Sequence, residues 1–88
     1  MMSLMMRKAS NSFRIVRDYN ERKESLLMDG YVLKHETHLN NSILCRLYHP
    51  KRNRSIILLA ARGLLQQKTD GKIVHEQHYE EDTAMHQP

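Results

Sequence analysis

Two His-x-x-His pairs are the first residues in this sequence that could do chemistry. His35 and His38 form one pair, and His75 and His78 form the other. Imidazole nitrogens bind zinc, copper and nickel, so a metal site is the chemistry such pairs would support. In a β-strand, residues three apart point to opposite faces, whereas a helix or a turn would bring one pair together. We expect exposed histidines on strand edges, with a metal shared across strands as the open alternative, and we assign no metal ligand and no cofactor.

Cys45 is the only cysteine, which excludes a disulfide framework and a multi-cysteine zinc site. As a nucleophile, Cys45 would need a nearby base. His49 would lie on the same strand face but about 13 Å away along the strand. Isoleucine and leucine surround Cys45 in the sequence, so we predict a buried structural thiol. The Gly-rich phosphate-binding motifs are missing. We therefore predict that the protein is not an enzyme and has no catalytic residues.

A basic turn is the best candidate for a binding site. Residues 51–54 read Lys-Arg-Asn-Arg, and three cations at a hairpin tip could contact phosphates. On the preceding strand an arginine and a tyrosine share one face, where they could stack on bases. The predicted anion-binding or nucleic-acid-binding residues are Arg46, Tyr48, Lys51, Arg52 and Arg54. The alternative is that these cations only keep a strand edge soluble.

The charge is unevenly distributed along the chain. The 88 residues carry a formal charge of +4, but residues 1–72 carry +8 and residues 73–88 carry −4. A basic body attracts anionic partners, either nucleic acid or an acidic protein, while the acidic end could instead neutralise its own body. The length allows one domain, since domains rarely fall below about 50 residues.

The sequence indicates a cytoplasmic protein that does not contact a membrane. Its longest apolar run, residues 56–61, is far shorter than the roughly 20 residues of a membrane span. Arg7 and Lys8 follow a short apolar stretch, whereas a secretory signal has its basic residues first. A transit peptide over residues 1–17 is the less favoured alternative. The single cysteine agrees with a reducing compartment.

Short strands punctuated by turns are predicted over an ordered body of residues 11–79, with flexible ends over 1–10 and 80–88. Partial alternation over residues 13–19 predicts a first strand. The dipeptide Asp29-Gly30 then predicts a tight hairpin, or a bulge within one longer strand.

The strongest local signal lies in residues 43–61. Residues 43–49 read as a strand, residues 50–54 as a turn, and residues 55–61 as a strand that is apolar on both faces. Such a run fits a central strand that is covered on both sides. A helix over about 55–68 is the competing interpretation, because Ile57, Ala60, Ala61, Leu64 and Leu65 also follow helical spacing.

A second hairpin is predicted around Asp70-Gly71, a preferred pair for a two-residue loop. With this loop, Thr69 would oppose Lys72, and Gln67 would oppose Val74. Neither face of the hairpin is strongly apolar, so its register is weakly specified and we expect an edge open to a partner.

Together these patterns predict a mainly β fold. We expect a small antiparallel meander or barrel-like sheet of about five to six strands, with α+β as the alternative if residues 55–68 are helical. The predicted function is a non-catalytic module that acts through protein–protein contact, self-associating through an edge strand. The expected partner is a second copy or another protein, and no small-molecule substrate is evident. A small nucleic-acid-binding regulator that uses the basic tip is the alternative function.

Overall fold

The computed structural model describes residues 2–79, with side chains from Phe13 onward. One helix precedes five strands: α1 (Met2–Met28), β1 (Val32–His38), β2 (Ser42–His49), β3 (Arg54–Ala61), β4 (Leu64–Thr69) and β5 (Lys72–His78). All strand pairs are antiparallel, and the order in the sheet follows the order in the chain. The predicted mainly β meander is confirmed. The sheet is open, with β1 and β5 at its edges. The predicted flexible end over 80–88 lies outside the described residues.

Helix α1 corrects the prediction for the N-terminal third of the chain. The strand predicted over 13–19 is wrong, because these residues belong to the helix, while the flexible end predicted over 1–10 stays a prediction. Ile15, Tyr19 and Leu26 lie four and seven residues apart, on one face of a helix, and they pack into the core. Phe13 is 64% exposed, so the alternation that suggested a strand does not report on burial.

Asp29-Gly30 ends the helix and does not form the predicted hairpin. The amide of Tyr31 donates to the carbonyl of Leu26 (3.0 Å), and the amide of Gly30 donates to the carbonyl of Leu27 (3.1 Å). These two bonds define a Schellman cap, with Gly30 at φ 108° in the position that favours glycine. Tyr31 and Leu26 are both buried, which supplies the apolar contact that accompanies this cap.

The β2–β3 hairpin is confirmed, and the helix proposed over 55–68 is wrong. Ser42–His49 pairs in full register with Arg54–Ala61, and β3 then pairs with β4. Arg62 and Gly63, at φ 52° and 71°, form the turn that divides the apparent helical pattern. The β-branched Ile56 and Ile57 favour the extended backbone.

The β4–β5 hairpin has the predicted loop and part of the predicted register. Asp70 and Gly71 both have positive φ, as a type I′ turn requires, and Thr69 opposes Lys72. A bulge then shifts the pairing, so that Gln67 opposes His75 and not Val74. Strand β5 forms an exposed edge of the sheet, as predicted.

Helix α1 packs on one face of the sheet, called here the helix-covered face. The strand residues of the core all point to it, and Leu47 and Leu58 are fully buried there. The opposite face is called the uncovered face, because no other element of residues 2–79 packs on it. Four aliphatic side chains form a half-buried strip across its three central strands: Leu44, Ile57, Leu59 and Leu64.

Candidate functional site

The predicted basic tip lies in the turn that joins β2 to β3. Tyr48 braces this turn, because its hydroxyl donates to Asn53 Oδ1 at 2.7 Å. Asn53 adopts a positive φ of 51°, which asparagine tolerates better than most residues. The phenol that could have stacked on a base is therefore engaged in holding the turn.

Arg52 is tied back to the end of helix α1. Its Nη1 lies 2.9 Å from Asp29 Oδ2, and this hydrogen bond raises the pKa of Arg52. The buried ring of His49 completes the junction: Nε2 donates to the carbonyl of Asp29 (3.1 Å), and Nδ1 accepts from the amide of Arg52 (3.2 Å). A Cβ on Gly30 would lie 2.7 Å from His49 Nε2, so any other residue here would have to displace this ring.

Arg54 faces the neighbouring β4–β5 turn. Its Nε lies 3.8 Å from Asp70 Oδ2, while Asp70 Oδ1 accepts the amide of Ser55 at 3.0 Å. Two of the three cations of the tip therefore have an acidic neighbour. Lys51 is exposed and has no ion pair among the described residues.

Arg46 lies away from the tip, on the uncovered face. Its Cα pairs with His35 on β1 and with Ile57 on β3. Arg46 and Tyr48 share this face, as the spacing predicted. The five predicted residues thus occupy one hairpin, but they divide between the turn and the sheet face. Anion binding by this set stays a prediction.

The four histidines of the two pairs lie on opposite edges of the sheet. His35 and His38 belong to β1, and His75 and His78 belong to β5, with three strands between them. His35 contacts Thr37 Oγ1 (2.7 Å), and His38 lies 3.5 Å from Glu36. Within residues 2–79, no three histidine, cysteine or acidic side chains are grouped as metal ligands.

A polar cluster beneath helix α1 was not predicted from the sequence. Tyr19, fully buried, donates to Glu36 Oε2 at 2.8 Å, and Lys23 Nζ lies 2.7 Å from the same oxygen. The hydrogen bond from Lys23 lowers the pKa of Glu36 to about 2, and burial raises the pKa of Tyr19. Burial also raises the pKa of the neighbouring Cys45 thiol, which is fully buried as predicted. The cluster holds the helix to edge strand β1.

A second set of polar contacts holds the other side of the helix. Tyr79 donates to Asp18 Oδ2 at 2.6 Å, and Arg22 Nε donates to Gln67 Oε1 at 2.8 Å. The bond from Tyr79 lowers the pKa of Asp18, and burial raises the pKa of Tyr79 to about 12. These pairs line an open groove of about 540 Å³ between α1 and the β4–β5 hairpin. Their polar atoms are used in attaching the helix to the sheet.

The aliphatic strip is the surface that the site prediction missed. Its signal was present in the sequence, because residues 55–61 are apolar on both faces, the pattern of a strand covered on both sides. In the structure, β3 is indeed central, but the described residues cover only one of its faces.

No protein-family model, curated protein or solved structure matches this chain. None of the helical residues in the described part of the chain forms a segment long and apolar enough to cross a membrane.

Proposed function

We propose that this protein is a non-catalytic interaction module that acts through protein–protein contact and self-associates through its sheet. The single observation that carries the proposal is that β3 has two apolar faces but only one cover within the described residues. The four side chains of the strip are half-buried, and covering their remaining apolar surface is favourable by about 25 cal/mol per Å², so the strip favours association.

The two edge strands offer a second route to a partner. Strand β5 is exposed along its whole length, and most of β1 is exposed as well. Unpaired strand edges can bond to another extended segment through their backbone groups. Association through an edge strand, as expected from the sequence, and association through the sheet face are the two forms that the proposal allows.

The burial of Cys45 fits a reducing, cytoplasmic setting. The free thiol is fully buried under helix α1 and is the only one in the chain. A protein with this arrangement gains no stability from an oxidising environment, since no disulfide can form within one copy. We propose that the module acts in the cytoplasm.

Nucleic-acid binding is the second candidate function. It is favoured by the exposure of Lys51 at the tip and of Arg46 on the uncovered face, neither of which has an ion pair among the described residues. The three cations of the turn remain the proposed phosphate contacts. The ion pairs of Arg52 and Arg54 reduce the charge available to an anion, so we rank this function below self-association.

Sedimentation velocity of the full chain tests the leading proposal. Between about 1 µM and about 1 mM, the range of weak and moderate affinities, we expect the sedimentation coefficient to rise from that of a monomer to that of a dimer. A single monomeric species over the whole range would contradict self-association. The same runs, repeated with a short RNA duplex at low salt, would detect the second candidate by co-sedimentation.

A further inference from the structure

We propose that two copies of this chain bind each other through the uncovered face. This inference rests on the proposed self-association, and it assigns the contact to the sheet face and not to the edge strands. The two copies would form a sandwich of two five-stranded sheets, with the helices on the outside. Stacked sheets lie about 10 Å apart, so side chains from both faces would interdigitate over the aliphatic strip.

Two rows of side chains cross the uncovered face at right angles to the strands. In each row the residues are cross-strand neighbours. The first, called the basic row, consists of His35, Arg46, Ile57, Lys68 and Ile73. The second, called the acidic row, consists of Thr37, Leu44, Leu59, Gln66 and Glu76. The basic row contains two cations and no acid. The acidic row contains one carboxylate and no cation, and Gln66 Nε2 donates to that carboxylate at 3.3 Å.

This arrangement selects the symmetry of the dimer. A twofold axis that runs across the strands, between the two rows, places the basic row of one copy on the acidic row of the other. Ile57 then meets Leu59 of the second copy, and Lys68 lies within reach of the second copy's Glu76. A twofold axis parallel to the strands would instead place Arg46 on Lys68, two cations in a contact that excludes water. The charge pattern therefore favours the axis across the strands.

The size of the face fits a reversible dimer. Five strands about 4.8 Å apart and about seven residues long present a surface of roughly 24 by 23 Å. Specific interfaces bury at least about 600 Å² on each partner, and the projected area of this face is about 550 Å², before the relief of the side chains is counted. The face thus lies at the lower limit for a stable interface, which predicts a concentration-dependent equilibrium.

The edges are less suited to pairing with a second copy. Both edge strands contain an irregularity: the β1–β2 register shifts at Lys34, and the β4–β5 register shifts opposite Gln67 and Lys68. Bulges and lysines on an edge interrupt the row of backbone groups that a further strand would need. The face has no such interruption across its central strands.

Sedimentation velocity of two matched variants of the full chain separates face from edge. Leu59→Lys places a charge in the centre of the aliphatic strip, and we expect it to raise the dissociation constant at least tenfold, about the effect of a central interface residue. Val74→Lys makes a similar change on edge strand β5, at a side chain that is 56% exposed, and should leave the dissociation constant within about twofold. Leu59→Thr, which keeps a strand-forming side chain, serves as the second face variant if Leu59→Lys does not fold.

The outcomes distinguish the face interface from self-association in general. A wild-type chain that stays monomeric at all concentrations contradicts both self-association and the face interface. Dimers that survive the face variants but dissociate in Val74→Lys leave self-association standing and overturn the face interface. Equal weakening by the face and edge variants also overturns it, because Val74 lies outside the two rows.

A charge exchange tests the axis. Lys68→Glu alone would set its new carboxylate near Glu76 of the second copy, and Glu76→Lys alone would set two lysines together, so each should dimerise more weakly than the wild type. An equimolar mixture should recover dimers, because both contacts then join opposite charges. Stronger dimerisation by Lys68→Glu alone would overturn the axis across the strands, since it is the result expected when Arg46 faces residue 68.

Discussion

The two faces of strand β3 differ although their side chains are alike. Leu58 points to the helix-covered face and is fully buried, whereas its neighbour Leu59 points to the uncovered face and is half-buried. Both residues are leucine, so residue type does not decide which of them is in the core. The position of helix α1 decides it, because α1 covers only the face to which Leu58 points. An aliphatic residue on the second face adds less to the stability of one copy, because part of its side chain stays in contact with water.

The two faces also differ in how their polar groups are used. On the helix-covered face, Glu36 and Gln67 bind side chains from α1 at 2.7–2.8 Å. On the uncovered face, Arg46 and Lys68 form no ion pair within the described residues, and Glu76 contacts only neighbours on the sheet. Among residues 2–79, helix α1 covers one face, and the other face leaves charged and apolar side chains in contact with solvent.

The largest expected effect on stability is the difference between alanine substitutions of the two leucines of β3. Leu58→Ala leaves a cavity beneath helix α1 and should lower the free energy of unfolding by about 2–5 kcal/mol. Leu59→Ala, measured at a concentration where the chain is monomeric, should lower it by less than about 1 kcal/mol, because the side chain is already in contact with water. Urea denaturation followed by circular dichroism measures both. Equal losses would remove the distinction between the faces.

The next largest effect on stability is expected at Gly30, in the Schellman cap that ends helix α1. Gly30→Ala combines a φ of 108° with a Cβ that would lie 2.7 Å from His49 Nε2, so we expect a loss of about 1–3 kcal/mol in thermal or urea unfolding. Gly71→Ala is the matched control, with a positive φ of 86° but no atom within 4 Å of its Cβ. A cost at Gly30 no greater than that at Gly71 would show that the contact with His49 is unimportant.

A pH-dependent effect should be confined to the helix-covered face. The pKa of Glu36 is lowered from 4.5 to about 2, so its ionised form stabilises the fold fully above pH 4.5, and this contribution is lost as the pH falls towards 2. Glu36→Gln should cost about 1–3 kcal/mol at pH 7 and converge with the wild type near pH 2. Glu76→Gln, on the uncovered face, should change stability by less than about 0.5 kcal/mol. A constant difference between Glu36→Gln and wild type over this range would contradict the assignment.

The smallest effect on stability is expected at the basic tip. Replacing Lys51, Arg52 and Arg54 by alanine should leave the free energy of unfolding almost unchanged, because the ion pairs there are exposed. The same variant tests nucleic-acid binding by titration with a fluorescent RNA duplex at two salt concentrations. If the tip contacts phosphates, the variant should bind more weakly and with a shallower salt dependence. Unchanged affinity would remove the tip as the site.

The sequence was informative where local chemistry and tertiary structure agree. The turn at Asp70-Gly71, the β2–β3 hairpin and the central place of β3 all follow from short-range signals. The helix was missed because Asp29-Gly30 suits both a hairpin loop and a Schellman cap, and only the bond from Tyr31 to Leu26 decides between them. The polar cluster at Tyr19 and Glu36 could not be predicted, since the pair is 17 residues apart and is brought together by the packing of α1 on β1.

The uncovered face was predictable in part. The apolar run in residues 55–61 indicated two covered faces, but nothing in a single sequence says whether a cover comes from the same chain or from another. The basic and acidic rows depend on the register of five strands, and the bulges in β1 and β5 shift that register away from simple alternation.

Methyl NMR spectra of the full chain over a dilution series test most directly whether the uncovered face binds a second copy. We predict that the methyl resonances of Ile57 and Leu59 shift with concentration, while those of Ile56 and Leu58, their neighbours on the same strand, stay fixed. Concentration-dependent shifts confined to Val74 and other residues of the edge strands, with Ile57 and Leu59 unchanged, would contradict this account.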